Sequence, residues 1–177
     1  MPALESLAEQ WAARGVQSVF VYTREAHPGE NAAPHTSAED KLAAARRMRD
    51  HLQVRRPMLV DSLDGGLHRA YGSLPNMSFV VGQGGLIVYK SSWTDASHLD
   101  LVARRMVAEA EPLATGMRRV PFHVEWAPLR LRDDVGFLDG LLTAGPTAVV
   151  EYISAVAASH GEGAARRLRA WWSTKPG

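Results

Sequence analysis

The feature that most constrains the fold is a short apolar run that ends in a cluster of charged and titratable side chains. Residues Val16–Thr23 are rich in β-branched and aromatic side chains and lie between two segments with helical periodicity. This pattern predicts a strand buried on both faces of a parallel sheet. Ligands of open α/β sheets bind outside the carboxyl ends of the strands, so a functional site is expected directly after this strand.

Three side chains at the end of this strand are candidates for that site, namely Tyr22, Glu25 and His27. A neighbouring glutamate and histidine can transfer protons, and Pro28 fixes the backbone directly after them. A tyrosine at a strand end is more often a packed ring, and Tyr22 is kept as a candidate for substrate binding. His35 in the following loop is a second such candidate. No helical His-x-x-x-His pair supports a metal site, so none is predicted.

The composition bounds the class of protein. The chain has 177 residues, of which 46% are hydrophobic, and a formal net charge of +1. It suits one domain with an appendage, and it lacks the basic stripe that nucleic-acid binding needs. No apolar run reaches membrane-spanning length and no signal peptide is present, so we expect a cytoplasmic protein without membrane contact. The absence of cysteine excludes disulfides, thiolate metal sites and a cysteine nucleophile.

Helices and strands alternate in the first part of the sequence. A helix precedes the first strand, and a second helix follows it, with Ser37 and Asp40 at the spacing of a capping box. A second strand is predicted at Pro57–Asp61, followed by a short helix that ends at Gly72. A hairpin with the glycine-rich turn Gly82–Gly85 comes next.

The last part of the sequence is predicted to be mainly helical. Helical periodicity and capping residues indicate segments at about 96–110, 134–142, 146–160 and 163–172. Prolines interrupt the pattern after the first of these segments. We therefore predict two parts, an α/β domain over residues 1–111 and a mainly helical C-terminal extension over residues 112–177.

The order of the elements resembles the thioredoxin-like fold in its peroxiredoxin-type form. Four motifs are also similar to the iodothyronine deiodinase family, and they are Tyr22–Pro28, Val60–Asp64, Ala70–Gly72 and Gly85–Tyr89. The Glu-Ala-His-Pro run within the first motif is the most specific. The resemblance spans about residues 4–107 and does not extend to the C-terminal helices.

This resemblance implies a thioredoxin-like α/β fold that lacks its first, central strand and the nucleophile loop. In the family a cysteine or selenocysteine precedes the first helix, and Met1 would then be an internal methionine of a longer protein. A selenocysteine codon read as a stop would explain such a start, with an upstream cysteine or a true truncation as the alternatives. Exposed strand edges would make the chain poorly soluble or a homodimer, unless residues 122–131 fill the gap. Pro75 is the candidate for the cis-proline of this fold.

The resemblance also implies redox chemistry on a small-molecule substrate, with a thiol reductant and without a cofactor. Glu25 and His27 would be the catalytic residues, and Tyr22 and His35 would line the substrate pocket. Met77 stands where the family has a substrate-binding arginine, so another halogenated, peroxidic or disulfide substrate fits equally well. Because the nucleophile is missing, the chain is expected to be inactive as it stands. The alternative function is a non-catalytic thioredoxin-like binding module.

Overall fold

The fold is that of a computed structural model, which describes residues 1–108 and 134–175. These residues form seven helices and four strands, so the predicted α/β class is confirmed at this level. The elements are α1 (Pro2–Ala12), β1 (Phe20–Tyr22), α2 (Ala38–His51), β2 (Met58–Val60), α3 (Gly66–Tyr71), β3 (Ser78–Val81), β4 (Ile87–Ser91), α4 (Ala96–Ala108), α5 (Asp134–Leu142), α6 (Pro146–His160) and α7 (Glu162–Trp172).

The first sheet is a parallel pair of short strands. β1 lies beside β2, with Phe20 opposite Met58 and Tyr22 opposite Val60. The backbone N–H of Phe20 donates to the carbonyl of Pro57 at 2.8 Å. The predicted parallel pairing of these two segments is therefore confirmed, although β1 is shorter than the apolar run that contains it.

The prediction that β1 is buried on both faces is wrong. Tyr22 is only 5% exposed, but Val19 just before the strand is 47% exposed and Leu59 of β2 is 55% exposed. Among the residues that the structure describes, this sheet has two strands, and they are too few to bury an apolar run on both faces.

The second sheet is the predicted antiparallel hairpin. Ser78 of β3 lies opposite Ser91 of β4, and the register shifts by a bulge after Val80. Gly84 and Gly85 adopt φ angles of +90° and +82°, a left-handed conformation that side chains other than glycine rarely adopt. The hairpin forms its own two-stranded sheet, as expected if no central strand joins it to β1 and β2 within the described residues.

The described residues pack as two compact units. The first comprises residues 1–23 and 37–108, and the second comprises residues 24–36 and 134–175. The boundary predicted between residues 111 and 112 would have placed residues 24–36 in the first domain. They group with the C-terminal helices because their hydrogen bonds run to the turn between α5 and α6.

Side chains on α1 hold the first unit together. Glu5 is 3% exposed, and its carboxylate accepts the backbone N–H groups of Arg55 and Arg56 at 2.9 and 3.3 Å. The Arg56 Nε lies 3.0 Å from Glu5 Oε1 in an ion pair whose angle is outside hydrogen-bond geometry. On the next turns of α1 the Trp11 indole donates to Asp100 of α4 at 2.9 Å. These contacts fasten α1 to the segment before β2 and to α4.

The second unit has a continuous hydrophobic core. Its buried members come from α5, α6 and α7, and they are Leu138, Leu141, Val149, Ile153, Ala165 and Leu168. Val149 and Ile153 are four residues apart on α6 and lie on one helix face, as the sequence periodicity predicted. Trp171 and Trp172 pack against this core.

Two further expectations concern the hairpin and the gap beside it. The peptide bonds of the described residues are all trans, so the prediction of a cis bond at Pro75 is wrong. Pro75 lies in a turn before β3, where the fixed φ of a trans proline is suitable. Residues 122–131, the segment that was named as able to fill the gap, lie outside the described residues. No described helix is long and apolar enough to cross a membrane.

The exposed sheet surface leads to a prediction about solubility. Leu59 on β2 and Leu101 on α4 are 55% and 57% exposed, but Leu101 lies on a helix, whereas Leu59 lies in a sheet that has only two strands within the described residues. We expect the chain to associate as its concentration rises, and Leu59→Lys to reduce this association more than Leu101→Lys. Light scattering after size exclusion measures the effect. A wild-type chain that stays monomeric at high concentration would contradict the prediction.

Candidate functional site

The residues predicted to form the site are divided between the two units. Tyr22 is buried at the end of β1 in the first unit, whereas Glu25, His27 and His35 belong to the second unit. The last three lie in the segment 24–36, which we call the site loop. The candidate site is therefore described in the second unit, and a role for Tyr22 stays a prediction.

Glu25 and His27 are in contact through the backbone. The backbone N–H of His27 donates to Glu25 Oε1 at 3.5 Å, and both side chains are half-buried. This hydrogen bond folds the carboxylate back onto the loop, and Pro28 restricts the next φ angle. The loop thus holds a glutamate and a histidine in a fixed local arrangement, while a direct bond between the two side chains stays a prediction.

The His27 ring packs against two aromatic rings of the C-terminal helices. Its centroid lies 6.2 Å from that of Phe137 on α5 and 5.8 Å from that of Tyr152 on α6, with interplanar angles of 86° and 87°. Phe137 and Tyr152 also contact each other, with centroids 4.9 Å apart. Edge-to-face pairs at such distances are favourable, so the rings of His27, Phe137 and Tyr152 form one cluster of three.

The site loop also provides the cap of helix α6. The backbone N–H of Thr147 lies 3.3 and 3.2 Å from the two carboxylate oxygens of Glu30, and the Thr147 hydroxyl donates to Oε1. The hydroxyl bond is the main cause that lowers the pKa of Glu30 below its ordinary value of 4.5. The backbone N–H groups of Glu30 and Thr147 lower the pKa further, while burial acts in the opposite direction. A carboxylate at a helix N-terminus is also favoured by the helix dipole.

A second anchor of the site loop lies next to the first. The backbone N–H of Asn31 donates to the carbonyl of Ala144 at 2.8 Å, and its side-chain amide donates to the carbonyl of Thr143 at 3.3 Å. Glycines allow this close approach, because a Cβ on Gly29 would overlap the carbonyl of Ala144. The loop is therefore fixed at two adjacent points to the turn between α5 and α6.

The Glu30 cap leads to a prediction about acid stability. Because the folded-state pKa of Glu30 is lowered, its contribution to stability is fully present above 4.5 and is lost as the pH falls through the lower folded value. We expect the stability of Glu30→Gln to fall less than that of the wild type as the pH drops below 4.5. Thr147→Val, which removes the main hydrogen bond, should have the same effect. Urea unfolding across this pH range measures it, and slopes equal to that of the wild type in both variants would contradict the cap.

An open cavity of about 250 Å³ adjoins the site loop. It is lined by Pro28, Gly29, Glu30, Pro34, Thr147 and Glu151. This volume is slightly below the usual range of small-molecule sites, about 300–1,000 Å³. His27 and His35 flank two of the lining prolines in the sequence, and His35 is half-buried. Glu25, His27 and His35 are not among the described residues that line the cavity, so their role in substrate binding stays a prediction.

A polar cluster at the end of β2 was not predicted as a functional feature. Asp61 accepts the backbone N–H groups of Ser62, Leu67 and His68 at 2.8, 3.0 and 3.0 Å. Burial of this carboxylate raises its pKa, but those three N–H groups lower it more, so the net pKa lies below the ordinary value. Lys41, only 2% exposed, donates to the carbonyl of Ser62 at 2.6 Å. Asp61 thus caps the short helix α3, and this structural role is sufficient to explain the cluster.

No group of three or more potential metal ligands exists within residues 1–108 and 134–175. Comparisons of the chain with known protein families, with curated proteins and with solved structures find no match. The features that indicate a function are therefore the site loop, its anchors and its aromatic contacts.

Proposed function

We propose that this chain is a thioredoxin-like redox module of the deiodinase type, in which Glu25 and His27 supply proton transfer and substrate contacts. The observation that carries the proposal is the half-buried Glu25–His27 pair, which is held in a fixed loop directly after a parallel strand. Such positions are where α/β proteins bind ligands, and paired titratable groups are the usual means of moving protons there.

The arrangement of elements supports a thioredoxin-like fold. A parallel strand pair with a helical crossover is followed by a short helix, an antiparallel hairpin and a final helix in the first unit. The parallel pair and the hairpin are separate sheets within the described residues, and a strand that paired with β1 on one side and with the hairpin on the other would join them into one mixed sheet. The fold supports many functions, so the argument for redox chemistry rests on the site loop.

The proposed chemistry is reductive removal of halogen from a phenolic ring. A thiolate or selenolate takes the halogen as a cation from the ring carbon, and that carbon then receives a proton. In this proposal His27 donates the proton, and Glu25, which accepts the backbone N–H of His27, supports the loop at that position. The 177 residues include no cysteine, so the nucleophile must come from outside them.

The missing nucleophile leads to a prediction about activity. We expect the purified 177-residue chain to show no thiol-dependent dehalogenase, peroxidase or disulfide reductase turnover, because methionine thioethers lack the nucleophilicity of a thiolate. A halide-release assay with dithiothreitol and a thiol-consumption assay measure this. Turnover that is lost in His27→Ala would contradict the prediction and would show that the nucleophile is not required.

The binding half of the proposal can be tested without turnover. A 2,6-dihalogenated phenol should bind the wild-type chain, and His27→Ala should weaken its affinity by about tenfold or more, since hydrogen bonds to charged groups have that effect. His51→Ala, at the exposed end of α2 in the first unit, is the control and should bind normally. Equal affinities in all three proteins would refute a role for His27 in substrate binding.

A second candidate function is a non-catalytic module that binds a small molecule or a partner. The lack of cysteine together with the cavity beside the site loop favours it. The two candidates differ in one respect. Only a redox module should release halide from a halogenated phenol once a thiolate or selenolate is supplied from outside the 177 residues.

A further inference from the structure

The aromatic contacts of His27 come from a part of the chain that the deiodinase resemblance does not cover. The ring lies against Phe137 of α5 and Tyr152 of α6 at nearly perpendicular angles. Phe137 is 38% exposed, and its ring contacts those of His27 and Tyr152. Because Phe137 contacts a candidate site residue, we asked whether it has a function at the site.

We infer that Phe137 and Tyr152 are positioning residues for His27, so that α5 and α6 are part of the functional site and not an appendage. The part of this inference that concerns ligand binding rests on the function proposed above. The part that concerns the orientation of the His27 ring rests on geometry alone.

Two perpendicular ring contacts restrict a histidine more than one contact does. A single neighbouring ring would still allow rotation about the bond that joins the imidazole to the side chain. Contacts of 86° and 87° with two rings that also touch each other limit both the rotamer and the ring plane. His27 is half-buried, so part of the residue remains exposed to solvent.

The anchors of the site loop make this positioning effective. Glu30 fixes the loop to the first turn of α6 and Asn31 fixes it to the turn between α5 and α6, both within four residues of His27. The backbone beneath the histidine and the rings against its side chain therefore belong to the same pair of helices. Movement of α5 or α6 would shift the backbone and the ring of His27 together.

The test compares ring replacements on α6 with a matched aromatic pair in the first unit. Tyr152→Leu removes one ring from the cluster, and Tyr152→Phe keeps the ring. Tyr71→Leu is the control, because Tyr71 and Phe79 form a similar perpendicular pair with centroids 4.8 Å apart. Phe137→Leu is the second variant if Tyr152→Leu fails to fold, which circular dichroism decides.

The first readout is the NMR spectrum of the His27 ring protons without ligand. We expect Tyr152→Leu or Phe137→Leu to move these resonances toward those of a histidine in an unstructured peptide, because the ring-current shifts are lost. Tyr152→Phe and Tyr71→Leu should leave them in place. Unchanged His27 resonances in Tyr152→Leu and in Phe137→Leu would overturn the inference that these rings position His27.

The second readout is the affinity for the dihalogenated phenol. Loss of one aromatic contact should weaken binding by about two- to tenfold in Tyr152→Leu, with recovery in Tyr152→Phe. Changed resonances with unchanged affinity would overturn the claim that the helices belong to the functional site. If the wild-type chain does not bind the phenol, the proposed function fails, while the ring resonances still decide the positioning of His27.

Discussion

Replacement of Glu5 by alanine is expected to lower the free energy of unfolding by about 3–5 kcal/mol, because it leaves a buried arginine without its partner. Glu5 and Arg56 have side chains that are 4% and 11% exposed, and their charged atoms lie 3.0 Å apart. Burial lowers the pKa of the Arg56 guanidinium more than Glu5 raises it. Without Glu5 the unfavourable effect of burial on the charged guanidinium would no longer be offset by this carboxylate. The substitution also removes the acceptor of two backbone N–H groups.

The chain offers a matched control on the same helix. Glu9, one turn along α1, pairs with Arg55 at 2.7 Å, but both side chains are 62% exposed. Ion pairs on the surface contribute little, so Glu9→Ala should cost about 0–1 kcal/mol. Urea unfolding of the two variants measures the difference. Equal effects of Glu5→Ala and Glu9→Ala would show that burial of the Glu5–Arg56 pair is not important for stability.

A comparable loss is expected in the second unit from Ile153→Ala, about 2–5 kcal/mol, because the change leaves a cavity in a closely packed core. Ile153 is 2% exposed and lies at the centre of the cluster formed by α5, α6 and α7. The side chain four residues before it, Val149, is fully buried on the same helix face, so the core cannot easily close around the missing atoms.

Val150→Ala on the same helix is the control for this substitution. Val150 is 46% exposed, and its truncation should change stability by about 0.5 kcal/mol or less. Amide hydrogen exchange of α6 is the suitable measurement, because two compact units can unfold separately. Protection of α6 that falls equally in both variants would contradict the assignment of this core.

Most of the individual elements could be predicted from the sequence because their signals are local. Ser37 caps α2 by accepting the N–H of Asp40 at 3.0 Å, as the capping-box spacing predicted. Gly72 ends α3 at a φ angle of +115°, and the glycine turn forms the hairpin. In each case two or three neighbouring residues carry the physical cause, so no knowledge of the tertiary structure is needed.

The placement of the site loop could not be predicted, because it depends on contacts far apart in the sequence. Glu30 and Thr147 are 117 residues apart, and no periodicity links them. One signal was available in the sequence. α6 begins at Pro146, and the residue at its N-cap, Gly145, has no side chain that could cap the helix. Such a helix needs an acceptor from elsewhere in the chain. The cluster of aromatic rings around His27 has the same origin, because Phe137 and Tyr152 were predicted only as helical residues.

The measurement that tests the central claim most directly is an NMR titration of the isotope-labelled chain with a 2,6-dihalogenated phenol. The claim is that the site loop, together with α5 and α6, forms the ligand site around His27. We predict that the largest shifts occur in residues 25–36 and near Phe137 and Tyr152, and that phenol without halogens causes smaller shifts at the same positions. Shifts confined to residues 1–23 and 37–108, or no shifts up to the solubility limit of the ligand, would contradict it.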